Sequence, residues 1–206
     1  MATRLRLSYL RSTQQNEIVV LTLASDDELP RIERRVLAEI ASHIEQLAAT
    51  RAVSGCVITG TERAFAVGAD IGELARLTPA EAHEFSREGK RVMRLVERSR
   101  VPVIAAIQGY CMGGGLDLAL ACHARIATPD AVFAHPGGSL GILTGWGGTQ
   151  RLTRLIGRAR AVEMFVTGGR ITAEDALDWR LVRAVVSSGE LMRVACDWAS
   201  DRPGKK

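Results

Sequence analysis

Long hydrophobic runs are missing from this sequence. No stretch approaches the ~20 apolar residues that a membrane-spanning helix needs. The opening segment, MATRLRLSYLRSTQQNEIVV, has no long apolar core followed by a small-residue cleavage site. A cytoplasmic chain with no membrane partner is the expectation. Charge of one sign is also scarce: 27 Lys and Arg against 23 Asp and Glu leave a net charge of +4. The basic residues are scattered rather than clustered, which argues against nucleic acid as a partner and only mildly favours an anionic small molecule. Cys56, Cys111, Cys122 and Cys196 form no CxxC pair, and His43, His83, His123 and His135 form no HxxxH or HExxH pattern. This spacing excludes the familiar metal sites, so no metal is expected, and the cysteines read as buried, reduced thiols. Neither an internal repeat nor a low-complexity linker divides the chain.

What is present suits one domain spanning 1–206. The 206 residues are enough to bury a substantial core, and 47% hydrophobic with 24% charged residues is ordinary for a globular protein. Residues 17–24 form a β-branched apolar run of strand length. Over 29–50, apolar Ile32, Val36, Ile40, Ile44 and Leu47 recur at helical spacing. Strands are expected at 54–60 and 101–109, with a helix from 79 to 97 between them. ARIATPDAVFAHP reads as two short strands around a Pro-Asp turn. GGTQRLTRLIG reads as a helix stopped by Gly157, followed by a second in AVEMFVTGG. In TAEDALDW, Thr172 and Asp175 have the spacing of a capping box, and LVRAVVS is the last strand. Such alternation indicates an α/β fold with right-handed crossovers.

Two segments repeat one theme: a buried strand, a glycine-containing turn, then a helix start. VITGTERAFAVGADIGEL does this around Gly68-Ala69-Asp70, and VIAAIQGYCMGGGLDLAL around Gly113-Gly114-Gly115. Neither matches a phosphate-binding P-loop or a complete GxGxxG fingerprint. Turns of this kind place backbone N–H groups at the carboxyl edge of a sheet, and small residues let a ligand approach them. Two N–H donors converging on one oxygen make an oxyanion hole. The alternative is that the glycines only permit close packing of helix on sheet. Asp117 likewise has two readings, a proton carrier or an acid favoured by the helix dipole.

RAFAVGADIGEL, PVIAAIQGYCMGGGLDLALACHARIAT and GGTQRLTRLIG…TGGRITAEDALDWRLV resemble, in order and spacing, the crotonase superfamily of enoyl-CoA hydratases and isomerases. The resemblance covers roughly residues 15 to 186. It implies a ClpP/crotonase-like spiral of ββα units that binds an acyl-CoA thioester within a homotrimer or hexamer, with coenzyme A part of the substrate and no separate cofactor. It places two oxyanion-hole amides on Ala69 and Gly114, and substrate contacts on Ala66, Gly68, Ala69, Asp70, Ile71 and Gly72. Further contacts are implied at Gly113, Gly114, Pro136, Gly137 and Leu140.

The acids depart from the pattern. Hydratases of this family resemble one another in carrying two glutamates that hold a water. The first position falls on Asp117 and the second on Gly137; a further acid position of some relatives falls on Gly145. One positioned acid or base contributes about 10²–10⁴-fold to rate, so one carboxylate favours isomerisation or decarboxylation over efficient hydration. His135 is weighed as a stand-in acid–base group and His123 as structural. Trp146 either narrows the acyl pocket or simply packs. TLASDDELPRI lacks the asparagine loop that helps hold CoA in relatives. The C-terminal helices that cover the site and build the trimer are expected to be largely missing, leaving the site more open or closed by a neighbouring subunit. An acyl-CoA enzyme is the leading expectation; the alternative is a catalytically degenerate CoA-binding or assembly subunit.

Overall fold

The computed structural model describes residues 10–200. Residues 1–9, half of the opening segment read for a leader, and the final DRPGKK lie outside them, so the expected 1–206 span is described over 10–200. Strands β1 (Leu10–Gln15), β2 (Ile18–Leu23), β3 (Gly55–Thr59), β5 (Val103–Ile107), β7 (Ala124–Ala127) and β10 (Ala184–Val185) form one sheet in the order β1-β2-β3-β5-β7-β10. All neighbours run parallel except the β1–β2 hairpin. A second sheet has the order β4-β6-β8-β9, from β4 (Ala64–Ala66), β6 (Tyr110–Met112), β8 (Val132–Ala134) and β9 (Ile171–Thr172).

The chain visits the two sheets alternately. β3, β5 and β7 lie in the first sheet, and each is followed by a strand of the second and then by helix. After β4 come α2 (Ile71–Leu74) and α3 (Pro79–Glu97); after β6, α4 (Gly114–Ala121); after β8, α5 (Gly148–Ile156) and α6 (Arg158–Thr167). This is the spiral of ββα units that the resemblance implies. α1 (Arg34–Ala49) packs beside α3, and α7 (Ala173–Asp178) starts from the Thr172–Asp175 capping box, with both reciprocal bonds present.

Period-two alternation divides the first sheet between two cores. Leu21, Leu23, Cys56, Ile58, Val103 and Ile107 face the main core with α1 and α3. Ile18, Val20, Val57, Ile104 and Ile126 face α8 (Ser188–Ser200), which contributes Leu191, Ala195 and Ala199. Burial on both faces is why these strands read as continuous apolar runs. No helix among the described residues is long and apolar enough to cross a membrane.

Several expectations change. The helix expected over 29–50 begins only at Arg34, because the preceding segment hydrogen-bonds to the Val67–Gly68 turn: Val67 N–H donates to Pro30 O at 2.9 Å and Ile32 N–H to Gly68 O at 2.8 Å. The last strand shrinks to two residues, and α8 follows it. Cys56, Cys111 and Cys122 are buried, and burial pushes the Cys122 thiol up to about 12. Cys196 is only half-buried, one position round α8 from buried Ala195.

The seat of α8 gives a first prediction. A Cβ on Gly55 would overlap the carbonyl of Ala199, backbone that cannot swing aside. Gly55→Ala is expected to destabilise the fold by about 1–3 kcal/mol, read as a thermal midpoint lowered ~2–4 °C per kcal/mol.

Candidate active site

The two glycine turns are pressed together at the edge of the second sheet. β4 leads into Gly68, whose φ of 107° disfavours any side chain. β6 leads into Gly113, with φ 52°, whose N–H is pinned to Ala134 O of β8 at 3.0 Å. A Cβ on Gly68 would lie 3.3 Å from the Gly114 nitrogen, so the two backbones are in near contact. A Cβ on Gly114 would overlap the Trp146 indole, and one on Gly115 the Ala66 carbonyl. Close packing therefore accounts for Gly114 and Gly115, one of the two readings of the triplet. The other also has support: neither the Ala69 nor the Gly114 N–H is engaged by another described residue.

Both turns border a cavity of about 410 Å³. Gly68, Ala69, Ile71, Gly113, Gly114, Asp117, Pro136, Gly137 and Leu140 all line it. Ala66, Asp70 and Gly72 do not. Ala66 is buried within β4, Asp70 caps α2 by accepting the Glu73 N–H at 2.8 Å, and Gly72 lies within α2. Exposed Ile71, Leu140 and Leu143 give the cavity an apolar rim. A larger hollow of about 850 Å³ lies between α1 and α3, lined mostly by Arg and Glu side chains, and holds none of the expected residues.

Asp117 is the only carboxylate among the described residues lining the smaller cavity, and it is fully buried. It stands in the first turn of α4, its N–H bonded to Gly113 O at 3.0 Å. The Thr144 hydroxyl donates to Oδ2, and the Trp146 backbone N–H also favours the ionised form. Burial outweighs both and raises the carboxyl to about 6. A base poised there is mostly ionised at neutral pH yet retains proton affinity.

His135, the residue immediately after β8, is the other titratable group of the lining. It is 3% exposed, and burial lowers its imidazole to about 4. Its ring rests on Phe165, with centroids 4.9 Å apart. His135 Nε2 stands 3.8 Å from Asp117 Oδ1. With the imidazole neutral above about pH 4, this is a neutral-base–carboxylate approach rather than an ion pair.

Trp146 packs, and it also borders the cavity. It is 4% exposed, packs edge-on against Phe85 at 5.3 Å between ring centroids, and forms part of the cavity wall. At Gly137 a Cβ would come within 2.6 Å of Ile142 O, so the loop is folded onto the place where a second acid was expected. His123 accepts the Val103 N–H at 3.0 Å, in keeping with a structural role. Thr144 escaped the sequence reading. It lies in the LTGWGG loop beside Gly145, and nothing local marks a threonine that will bond an acid 27 residues earlier.

Residues 13–202 match the family model described as Enoyl-CoA hydratase/isomerase. The chain belongs to the enoyl-CoA hydratase/isomerase family. It is 39% identical, over 97% of its length, to the fatty acid oxidation complex subunit alpha of Shewanella loihica, and spans 29% of that protein. Among solved structures, an enoyl-CoA hydratase from Bacillus anthracis superimposes with a TM-score of 0.88 at 34% identity, covering 93% of this chain and 75% of that one. Pseudomonas aeruginosa DspI does so with a TM-score of 0.90 at 33% identity, covering 97% and 77%.

Proposed function

We propose that this family member binds an acyl-CoA thioester in the 410 Å³ cavity and forms an enolate there, with Asp117 as the proton carrier. The observation that carries this reading is that Ala69 and Gly114, whose backbone N–H groups are unengaged among the described residues, line one cavity together with a buried carboxylate. The N–H groups polarise the thioester carbonyl and take up the negative charge that develops on its oxygen; one such donor is worth about 3 kcal/mol of barrier. Asp117 removes a proton from the carbon beside the carbonyl, and the C–H electrons become the enolate.

In an isomerisation, the same carboxyl returns the proton two carbons further along. In a decarboxylation, carbon dioxide leaves and the protonated carboxyl supplies the hydrogen that replaces it. Both need one proton carrier, and the glycines at 137 and 145 are consistent with that class. Coenzyme A enters as part of the substrate, with the segment 66–72 beside it and no separate cofactor. The wider setting we infer is fatty-acid metabolism in the cytoplasm, in a trimer or hexamer.

Thermal-shift measurements with CoA and with crotonyl and malonyl-type thioesters, followed by mass analysis of the products, test this reading. A thioester at a hundred times its Kd is expected to stabilise the fold by about 2.7 kcal/mol, with conversion of at least one substrate. No shift with any thioester contradicts the proposal. Binding without conversion supports instead a degenerate CoA-binding subunit, which the missing acid at Gly137 would explain.

A further inference from the structure

We propose that His135 takes the place of the missing second acid: Asp117 Oδ1 and His135 Nε2 together hold the water that adds to an enoyl thioester. The proposal rests on the acyl-CoA reading above and extends it from proton transfer to hydration.

Four observations carry it. The two atoms are 3.8 Å apart, both are buried, and neither has a hydrogen-bond partner among the described residues. A direct bond at this separation is too long, yet a buried polar atom left without a partner is costly. Both residues also line the cavity that contains the Ala69 and Gly114 turns. A buried acceptor pair inside a candidate catalytic cavity calls for a shared donor.

Water has the right shape and polarity. An oxygen about 2.8 Å from both atoms subtends an angle near 90° between them, close to the angle between its own O–H bonds. With the imidazole neutral, Nε2 offers a lone pair in the tautomer protonated at Nδ1, and ionised Asp117 accepts the second hydrogen. Both hydrogens are then engaged inward, and the oxygen lone pairs face away from the pair.

The step balances. The water oxygen bonds to the carbon β to the thioester carbonyl, and the carbon–carbon π electrons move onto the carbonyl oxygen as an enolate. One water proton passes to Asp117 Oδ1, which then delivers it to the α carbon as the enolate collapses. The sum is one water added, with nothing oxidised or reduced. His135 touches the reacting water and orients it without itself being protonated. Gly137 carries no side chain that could do this, and the Ile142 carbonyl occupies the space around it.

The test uses crotonyl-CoA with the wild-type chain, His135→Phe, His135→Gln and Asp117→Asn. Each is assayed with crotonyl-CoA for a product heavier by one water, and with the saturated butyryl-CoA for exchange of its α-protons with deuterated solvent. The wild type is expected to hydrate. His135→Phe should lower the hydration rate by about 10²-fold or more, at the lower end of what one positioned group contributes, and the ratio of hydration to exchange should fall with it. Glutamine, whose amide oxygen accepts a hydrogen bond but does not titrate, should recover at least part of the loss. His135→Leu is a second apolar variant if the melting midpoint shows that Phe disturbs the fold. A wild type that exchanges α-protons but never adds water overturns this inference and leaves the proposed enolate chemistry standing. So does equal hydration by His135→Phe and wild type, or an equal fall in both activities. Failure of both exchange and hydration in the wild type overturns the two proposals together.

Discussion

Asp117→Asn is expected to reduce conversion of every accepted acyl-CoA by about 10²–10⁴-fold, the usual contribution of a positioned acid–base group. The reason is local. No other carboxylate among the described residues lines the cavity, and His135, held near 4 by burial, is too weak a base to replace it. Asparagine keeps the size of the side chain and an oxygen for the Thr144 hydroxyl, so the fold and thioester binding should persist. The loss should therefore fall on kcat more than on KM. In the wild type the rate should rise with pH through about 6, as Asp117 gives up its proton, and that limb should vanish from the residual activity of the variant. Unchanged turnover on all substrates would remove Asp117 from the mechanism.

The pH dependence of stability should separate into two opposed contributions when either member of the Asp117–His135 pair is replaced. Asp117 titrates at 3.8 when exposed and at about 6 in the fold. Its contribution is fully present below 3.8 and is lost as pH rises through about 6, a change of about 3 kcal/mol. His135 has the reverse sign, with an ordinary value of 6.5 lowered to about 4. Its contribution is present above 6.5 and is lost as pH falls through about 4, again about 3 kcal/mol. Between these limits the two nearly cancel in the wild type. Relative to the wild-type curve, Asp117→Asn should gain stability with rising pH across this window, and His135→Phe should lose it. Urea unfolding of the three proteins from pH 4 to 7 measures this directly. Parallel curves would show that the two groups do not titrate as their burial dictates.

Much of the fold was legible because burial is periodic. β2, β3 and β5 are apolar on both faces, and α3 runs from Pro79 to Glu97, the span its pattern indicates. The second sheet was not legible, because β4, β6 and β9 are two or three residues long and pair across long separations. β1 escaped notice because five of its six residues are exposed and polar. At the site, the two turns were readable from their glycines. The Asp117–His135 approach was not, since it depends on how the residue following β8 comes to lie beside the first turn of α4. The closed space at Gly137 was equally hidden, because Ile142 reaches it only through the turn at Pro136–Leu140.

The central claim is enolate formation by Asp117 beneath the Ala69 and Gly114 amides. It is tested most directly by incubating a saturated acyl-CoA in deuterated water and following deuterium in the recovered thioester by mass spectrometry. A saturated chain can neither isomerise nor take up water, so only removal and return of the α-proton is read. The account predicts α-proton exchange by the wild type and its loss in Asp117→Asn. A wild type that binds the thioester but exchanges no α-proton, or an Asp117→Asn variant that exchanges as fast as the wild type, would contradict it.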